Sequence, residues 1–159
     1  MSAPKFQAGA WPKNDFTGEL LSEQGLLRTS STSGHEHPEN YAYGIDTSAC
    51  TEFAFHTEKE DAPWAIVMLP GPAELKGIVI ENNTSGYNQT RQIPMEIAIS
   101  DDGKTWNTIK TEQAAQKTYR IDLRSTSPRA QYVRVSRTKG AKNEFVHLNQ
   151  ILVYGKKYW

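Results

Sequence analysis

Apolar positions recur with a period of two through much of this chain. Met95, Ile97 and Ile99 alternate with Glu96, Ala98 and Ser100, the pattern of a strand with one face in a core. Asp102-Gly103 follows, a pair that accommodates the positive φ of a tight hairpin turn. Trp106 then opens a return strand with a large apolar side chain. Phe53 and Phe55 alternate with Glu52, Ala54 and His56, and Val133 and Val135 alternate with Tyr132 and Arg134. Residues 64–69 are apolar at every position, which predicts a strand covered on both faces, ended by Pro70-Gly71-Pro72. Residues 75–81 and 118–123 read as further strands. Residues 16–27 read as a first strand or two, with Leu20, Leu21, Leu26 and Leu27 as core positions.

The last strand, residues 145–155, changes phase. Val146 and Leu148 share one phase while Ile151 and Val153 share the other. The slip falls at Asn149-Gln150 and predicts a bulge that turns those residues away from ordinary pairing. Residues 28–43 and 82–92 are dense in Ser, Thr, Gly, Asn, Pro and His and read as loops. No stretch carries the pattern of a three-turn helix. Short strands punctuated by turns, without helix, predict an all-β, two-sheet antiparallel sandwich of jelly-roll type.

Composition narrows the function. The chain has 159 residues, with 18 basic and 18 acidic side chains that cancel. No long-range field draws it to nucleic acid or to anionic lipid. Cys50 is the only cysteine, which excludes an intrachain disulfide framework and argues against a cysteine-based zinc site. No apolar run approaches the roughly 20 residues that span a bilayer. Residues 1–13 lack the apolar core of a signal peptide, and the expectation is a module taken from a larger secreted protein. Residues 1–14 read as a polar arm or linker, and residues 15–159 as one domain.

The Ser100–Trp106 stretch, Ser-Asp-Asp-Gly-Lys-Thr-Trp, resembles the hairpin of discoidin domains, also called coagulation-factor type C domains. Other stretches follow in that family's order. They are Asp46 before a Thr51-Glu52-Phe53 strand, Pro63-Trp64 opening a strand that ends Leu69-Pro70-Gly71, the Tyr132-Val133-Arg134-Val135 strand, and the closing run from Leu148 to Gly155. The nearest branch is the family 32 carbohydrate-binding modules, with a galactose-binding-like fold. Two departures stand out. Asp46-Thr47 replaces the usual Asp-Gly, and the paired cysteines of animal members are missing, which favours the microbial branch.

The resemblance implies two sites. The first is a structural calcium ion, which takes six to eight hard oxygens. It places Asp46 and Thr51 as side-chain ligands, Tyr43, Ser48 and Asn149 as carbonyl donors, and Gln150 as a further side-chain oxygen. Gln150 stands where relatives commonly carry Glu, so the site has less charge to attract the ion. The second is a glycan site, with an apolar or aromatic face for the C–H surface of a sugar and a few polar groups for its hydroxyls. It falls on His56 and on Asn83, Tyr87 and Arg91 of the loop after the second central strand, with Tyr41 as a ring. Trp64 could also supply a ring but reads first as core. The fucose signature of the superfamily, an Arg-x-Asp in that loop, is absent, which leaves galactose-type or acidic sugars.

Other patterns carry less. His35-Glu36-His37 could bind zinc adventitiously but reads as an exposed loop. Asparagine sequons such as Asn88-Gln89-Thr90 fall inside the expected ligand loop and read as chance. There is no phosphate-cradling glycine loop, no Gly-x-Ser-x-Gly and no His-Glu-x-x-His. Asp101 and Asp102 lie in a turn, too wet for a tuned acid. The expectation is therefore a non-catalytic carbohydrate-binding module, extracellular or at the cell surface, that holds an attached enzyme or cell near a glycan. The rival expectation is a protein- or lipid-binding adhesion module, disfavoured because the loops lack exposed apolar spikes beside basic residues.

Overall fold

The computed structural model describes residues 16, 18–32, 45, 54–84, 90–138, 140–142 and 144–159. Among these described residues nine strands form: β1 (Glu19–Leu20), β2 (Leu26–Thr29), β3 (Phe55–His56), β4 (Trp64–Asn82), β5 (Met95–Ser100), β6 (Asn107–Glu112), β7 (Thr118–Asp122), β8 (Arg129–Arg137) and β9 (His147–Lys157). Among the described residues the only helical piece is a 3₁₀ turn at Ser22–Gln24.

All these strands pair antiparallel, and β4 joins two layers. Its first half pairs with β2 and β8, and β8 continues to β5 and β6. Its second half pairs with β7 and β9, and β9 carries β1 and β3. Between Met68↔Tyr132 and Ala73↔Ala130 the register breaks. Pro70-Gly71-Pro72 therefore marks the corner where the chain passes from one layer to the other; it does not end the strand, as the sequence suggests. Proline has no N–H for a ladder, so a pair of prolines interrupts pairing while leaving the chain extended. One apolar cluster contains Val67, Ile97 and Val135 from the first layer and Ile78, Tyr119 and Ile151 from the second. Both layers bury their inner faces against this single core, giving the expected β-sandwich.

The alternation in β5 and β8 holds, whereas among the described residues of the 52–56 stretch only Phe55–His56 forms a strand, and Ala54, Phe55 and His56 are all buried. Met95, Ile97 and Ile99 are buried, as are Val133 and Val135. Residues 64–69 do not keep to the expectation of burial on both faces. Ala65, Val67 and Leu69 are buried, whereas Trp64, Ile66 and Met68 are half-exposed on the outside. Near the start, Leu21 and Leu27 enter the core, but Leu26 points outward and is 55% exposed. Pairing of Leu27 with Val67 fixes the inner phase of β2 and sends its neighbour out. Arg28 and Thr29 belong to β2 and not to the loop that their composition suggests.

The phase slip in β9 is real. Glu81 pairs with Gln150 and Asn82 with Leu148, which leaves Asn149 as the extra residue. The bulge keeps Val146, Leu148, Ile151 and Val153 all in the main core. Leu152 and Tyr154 face the other way, into a smaller cluster with Phe16 and Val79.

The 100–106 hairpin lies at the corner end of the sandwich. Its loop is longer than a two-residue turn, because Ile99 pairs with Asn107 and Trp106 stands just before β6. The carboxylate of Asp102 accepts from the Lys104 and Thr105 amides, each at 2.8 Å, and from the Ser100 hydroxyl at 3.0 Å. These donors, the Thr105 amide first, hold its pKa down to about 2. Gly103 has φ +75°, and a Cβ there would lie 3.3 Å from the Tyr132 ring. Gly103→Ala is expected to cost about 1–2 kcal/mol, the usual penalty for an L-residue in that region. Urea denaturation measures it, and an unchanged midpoint would show that the turn relaxes freely.

Candidate functional site

At the opposite end of the sandwich, β3 places His56 beside His147 at the start of β9, in register. The two rings are 4.1 Å apart, and Phe145 meets the His56 ring edge-on at 5.4 Å. His56 is buried, and its Nδ1 lies 2.6 Å from the Thr57 carbonyl. With that nitrogen donating, Nε2 is left to accept from Nη1 of Arg91 at 3.1 Å. The Arg91 guanidinium also lies over the Phe145 ring, 4.6 Å from its centroid. Two residues far apart in the chain, both placed in the glycan site by the family resemblance, are thus in direct contact.

Arg91 is held from below as well. Nη1 of Arg137 donates to the Arg91 carbonyl and lies 3.3 Å from Glu144, and the Arg137 amide donates to Pro63. Gln92 is fully buried, and its amide donates to Oδ1 of Asn82 at 2.6 Å. Asn83 lies beneath this cluster. It is 1% exposed, and its side-chain amide donates to the His147 carbonyl at 2.8 Å and to Asn82 at 3.3 Å. His147 has its pKa pulled down to about 2, first by burial and then by the nearby His56 and Arg91. It is a neutral imidazole across the physiological range.

Tyr41 and Tyr87 lie outside the described residues, as do Tyr43, Asp46, Ser48 and Thr51 of the expected calcium set, and the His35-Glu36-His37 stretch. The other two members of that set, Asn149 and Gln150, sit in the β9 bulge, both fully buried. They offer neutral, hard oxygens at a point where the ladder is broken, and a calcium ion accepts such donors. Glu81 pairs with Gln150 across the ladder and is also buried. Burial raises its pKa, and the Thr118 hydroxyl, donating at 2.8 Å, works against that rise. Among the described residues no three His, Cys, Asp or Glu side chains cluster as a metal site.

Sequence reasoning missed Phe145, His147, Arg137, Glu144 and Glu81. The signal for His147 was present, since a strand whose inner phase is Val146 and Leu148 must turn Phe145 and His147 the other way. Glu81 closes the 75–81 strand, and no sequence pattern marks its burial.

The family model for the F5/8 type C domain matches residues 27–150. The chain belongs to this family. Solved structures that share the fold of this F5/8 type C domain cover nearly all of its length. A fucose-binding module of Streptococcus pneumoniae is 20% identical, with a TM-score of 0.70 over 87% of this chain and 99% of that one. The family 32 carbohydrate-binding module of Clostridium perfringens NanJ, in complex with galactose, is 16% identical, with a TM-score of 0.66 over 86% of this chain and 98% of that one. A fucolectin from striped bass serum is 22% identical, with a TM-score of 0.66 over 89% of this chain and 49% of that one. No curated protein sequence matches this F5/8 type C domain. Among its described residues, no helix is long and apolar enough to cross a membrane.

Proposed function

We propose that the domain binds carbohydrate without acting on it, at the end of the sandwich where His56, Arg91 and Phe145 meet. The observation that carries this reading is the posture of Arg91. Its guanidinium is fixed by His56 at 3.1 Å and by the Phe145 ring at 4.6 Å, on a half-buried side chain. A planar fork held in place presents its remaining N–H groups to a pair of sugar hydroxyls or to a carboxylate. The half-exposed Phe145 offers an apolar edge beside it. His56, Asn83 and Arg137 act mostly by positioning, and the family resemblance adds Tyr41 and Tyr87 to the sugar contact. The fold-mates crystallised with galactose and named for fucose binding support a small-sugar ligand.

The sugar class favoured is galactose-type or acidic. Arg91 is followed by Gln92-Ile93, so the loop lacks the acidic residue of the fucose signature. Affinity for a single sugar in such a shallow site is weak, and retention on a polysaccharide comes from tethering within a larger secreted protein. A calcium ion held by Asp46, Thr51, Gln150 and the carbonyls of Tyr43, Ser48 and Asn149 would brace the 43–51 segment against the β9 bulge.

A glycan array with galactose-, fucose- and uronate-terminated ligands tests the reading. Selective binding to one sugar class is expected. A blank array from protein shown to be folded would overturn it in favour of a protein or lipid partner. The metal is tested separately by thermal melting, in calcium and in EDTA. Binding only to the native state raises the melting temperature, so a higher value in calcium is expected. Identical melting curves would remove the calcium site and leave the sugar site standing.

A further inference from the structure

The outer face of the layer built from β2, the first half of β4, β8, β5 and β6 carries Trp64, Glu96 and Arg134, with Trp106 beneath the Arg134 guanidinium. Trp64, Ser136 and Glu96 lie in one row across β4, β8 and β5, and Ile66, Arg134, Ala98 and Thr108 form the next row out to β6. The short side chain of Ser136 separates Trp64 from Glu96. The face dips there into a cleft of about 380 Å³, lined by Trp64, Glu96, Thr108, Arg134, Ser136 and Arg137.

Arg134 is poised rather than consumed. Its guanidinium lies 4.3 Å over the Trp106 ring, and its Nε is buried with no hydrogen-bond partner among the described residues. No ion pair among the described residues takes up either Arg134 or Glu96. Burial lowers the Arg134 pKa, and the field of Glu96 opposes that. A half-exposed indole, a carboxylate, a guanidinium and two hydroxyls around one concavity are the donor, acceptor and apolar groups that a pyranose uses. A purely apolar partner would leave the Glu96 and Arg134 charges desolvated without compensation.

We propose that this cleft is a second carbohydrate site. One pyranose of a glycan lays its C–H face on Trp64, while neighbouring hydroxyls are shared between the Glu96 carboxylate and the Arg134 guanidinium. The proposal rests on the reading of the domain as a glycan binder, but it uses none of His56, Arg91 or Phe145. Two sites on one small domain would hold a polysaccharide far better than either alone, because the second contact forms at high effective concentration.

Nitrogen-15 NMR of the full chain tests this with galactose, fucose, glucose and glucuronate as probes. The indole signals of Trp64 and Trp106 report on the cleft, and the signals of Arg91 and Phe145 report on the end site. At least one probe is expected to shift the Trp64 signal saturably and to keep doing so in Arg91→Ala. Glu96→Gln, on a half-exposed position that folding tolerates, is expected to weaken that response about tenfold, or about 1.4 kcal/mol, and Trp64→Phe to weaken it as well. Shifts confined to Arg91 and Phe145 would overturn the second site and leave the first. A Trp64 shift that disappears in Arg91→Ala would also overturn it, since the cleft would then only sense the end site. Shifts at Trp64 alone would support the cleft and overturn the end site. Silence at both would overturn both.

Discussion

Gly155→Ala is expected to abolish the fold or bring it close to collapse. Gly155 is buried in β9, facing Leu75 of β4 on one side and Glu19 of β1 on the other. A Cβ built there would lie 2.1 Å from the Glu74 carbonyl oxygen and 3.1 Å from the Leu75 Cα. These are backbone atoms in the most extensively paired strand of the sandwich, so they cannot move aside as a side-chain tip can. The register shift between Leu75 and Gly77 brings the Glu74 carbonyl over β9 at this point, and glycine is the residue that permits so close an approach. A loss of about 4 kcal/mol or more, the class reserved for severe backbone conflict, is expected. Thermal or urea unfolding measures it. A melting temperature within a few degrees of the parent would show that the two strands can part here without cost.

That prediction also explains how the sequence could be read. Patterns that report on packing were legible. The two-residue period of β5 and β8 located core faces, and the slip from Leu148 to Ile151 located a bulge to within a residue. Asn149 is the extra one, whereas Gln150, expected to leave ordinary pairing with it, pairs with Glu81. Patterns that depend on what crosses over were not. The Pro70–Pro72 run looked like an end because proline signals a local break, whereas whether a chain stops or turns a corner is decided by its neighbours. Residues 64–69 looked doubly covered because Trp64, Ile66 and Met68 are apolar, yet the outer face there has no second layer over it among the described residues. In the candidate site, His56 and Arg91 were nameable from the family resemblance. Their contact was not, because 34 intervening residues give no hint that β3 and the loop before β5 meet beside the start of β9.

Arg91→Ala is expected to remove most of the sugar binding while leaving the fold intact. A charge-assisted hydrogen bond to a ligand is worth roughly 1.5–3 kcal/mol, so a fall in affinity of about ten- to a hundredfold is expected. The side chain is half-exposed, and its loss uncovers one face of Phe145 without opening the core. Melting should therefore move by only a few degrees. His56→Ala is a poorer probe, because His56 is buried against His147 and its removal leaves a cavity beside the end of the core. Arg91→Lys sharpens the test. Lysine keeps the positive charge but not the planar fork, so a site that pairs neighbouring hydroxyls should recover little of the lost affinity. A site that needs only positive charge, for an acidic sugar, should recover most of it. Calorimetry of parent, Arg91→Ala and Arg91→Lys against the sugar class found on the array separates these outcomes. Parent-like affinity in Arg91→Ala would move the glycan off this end of the sandwich altogether.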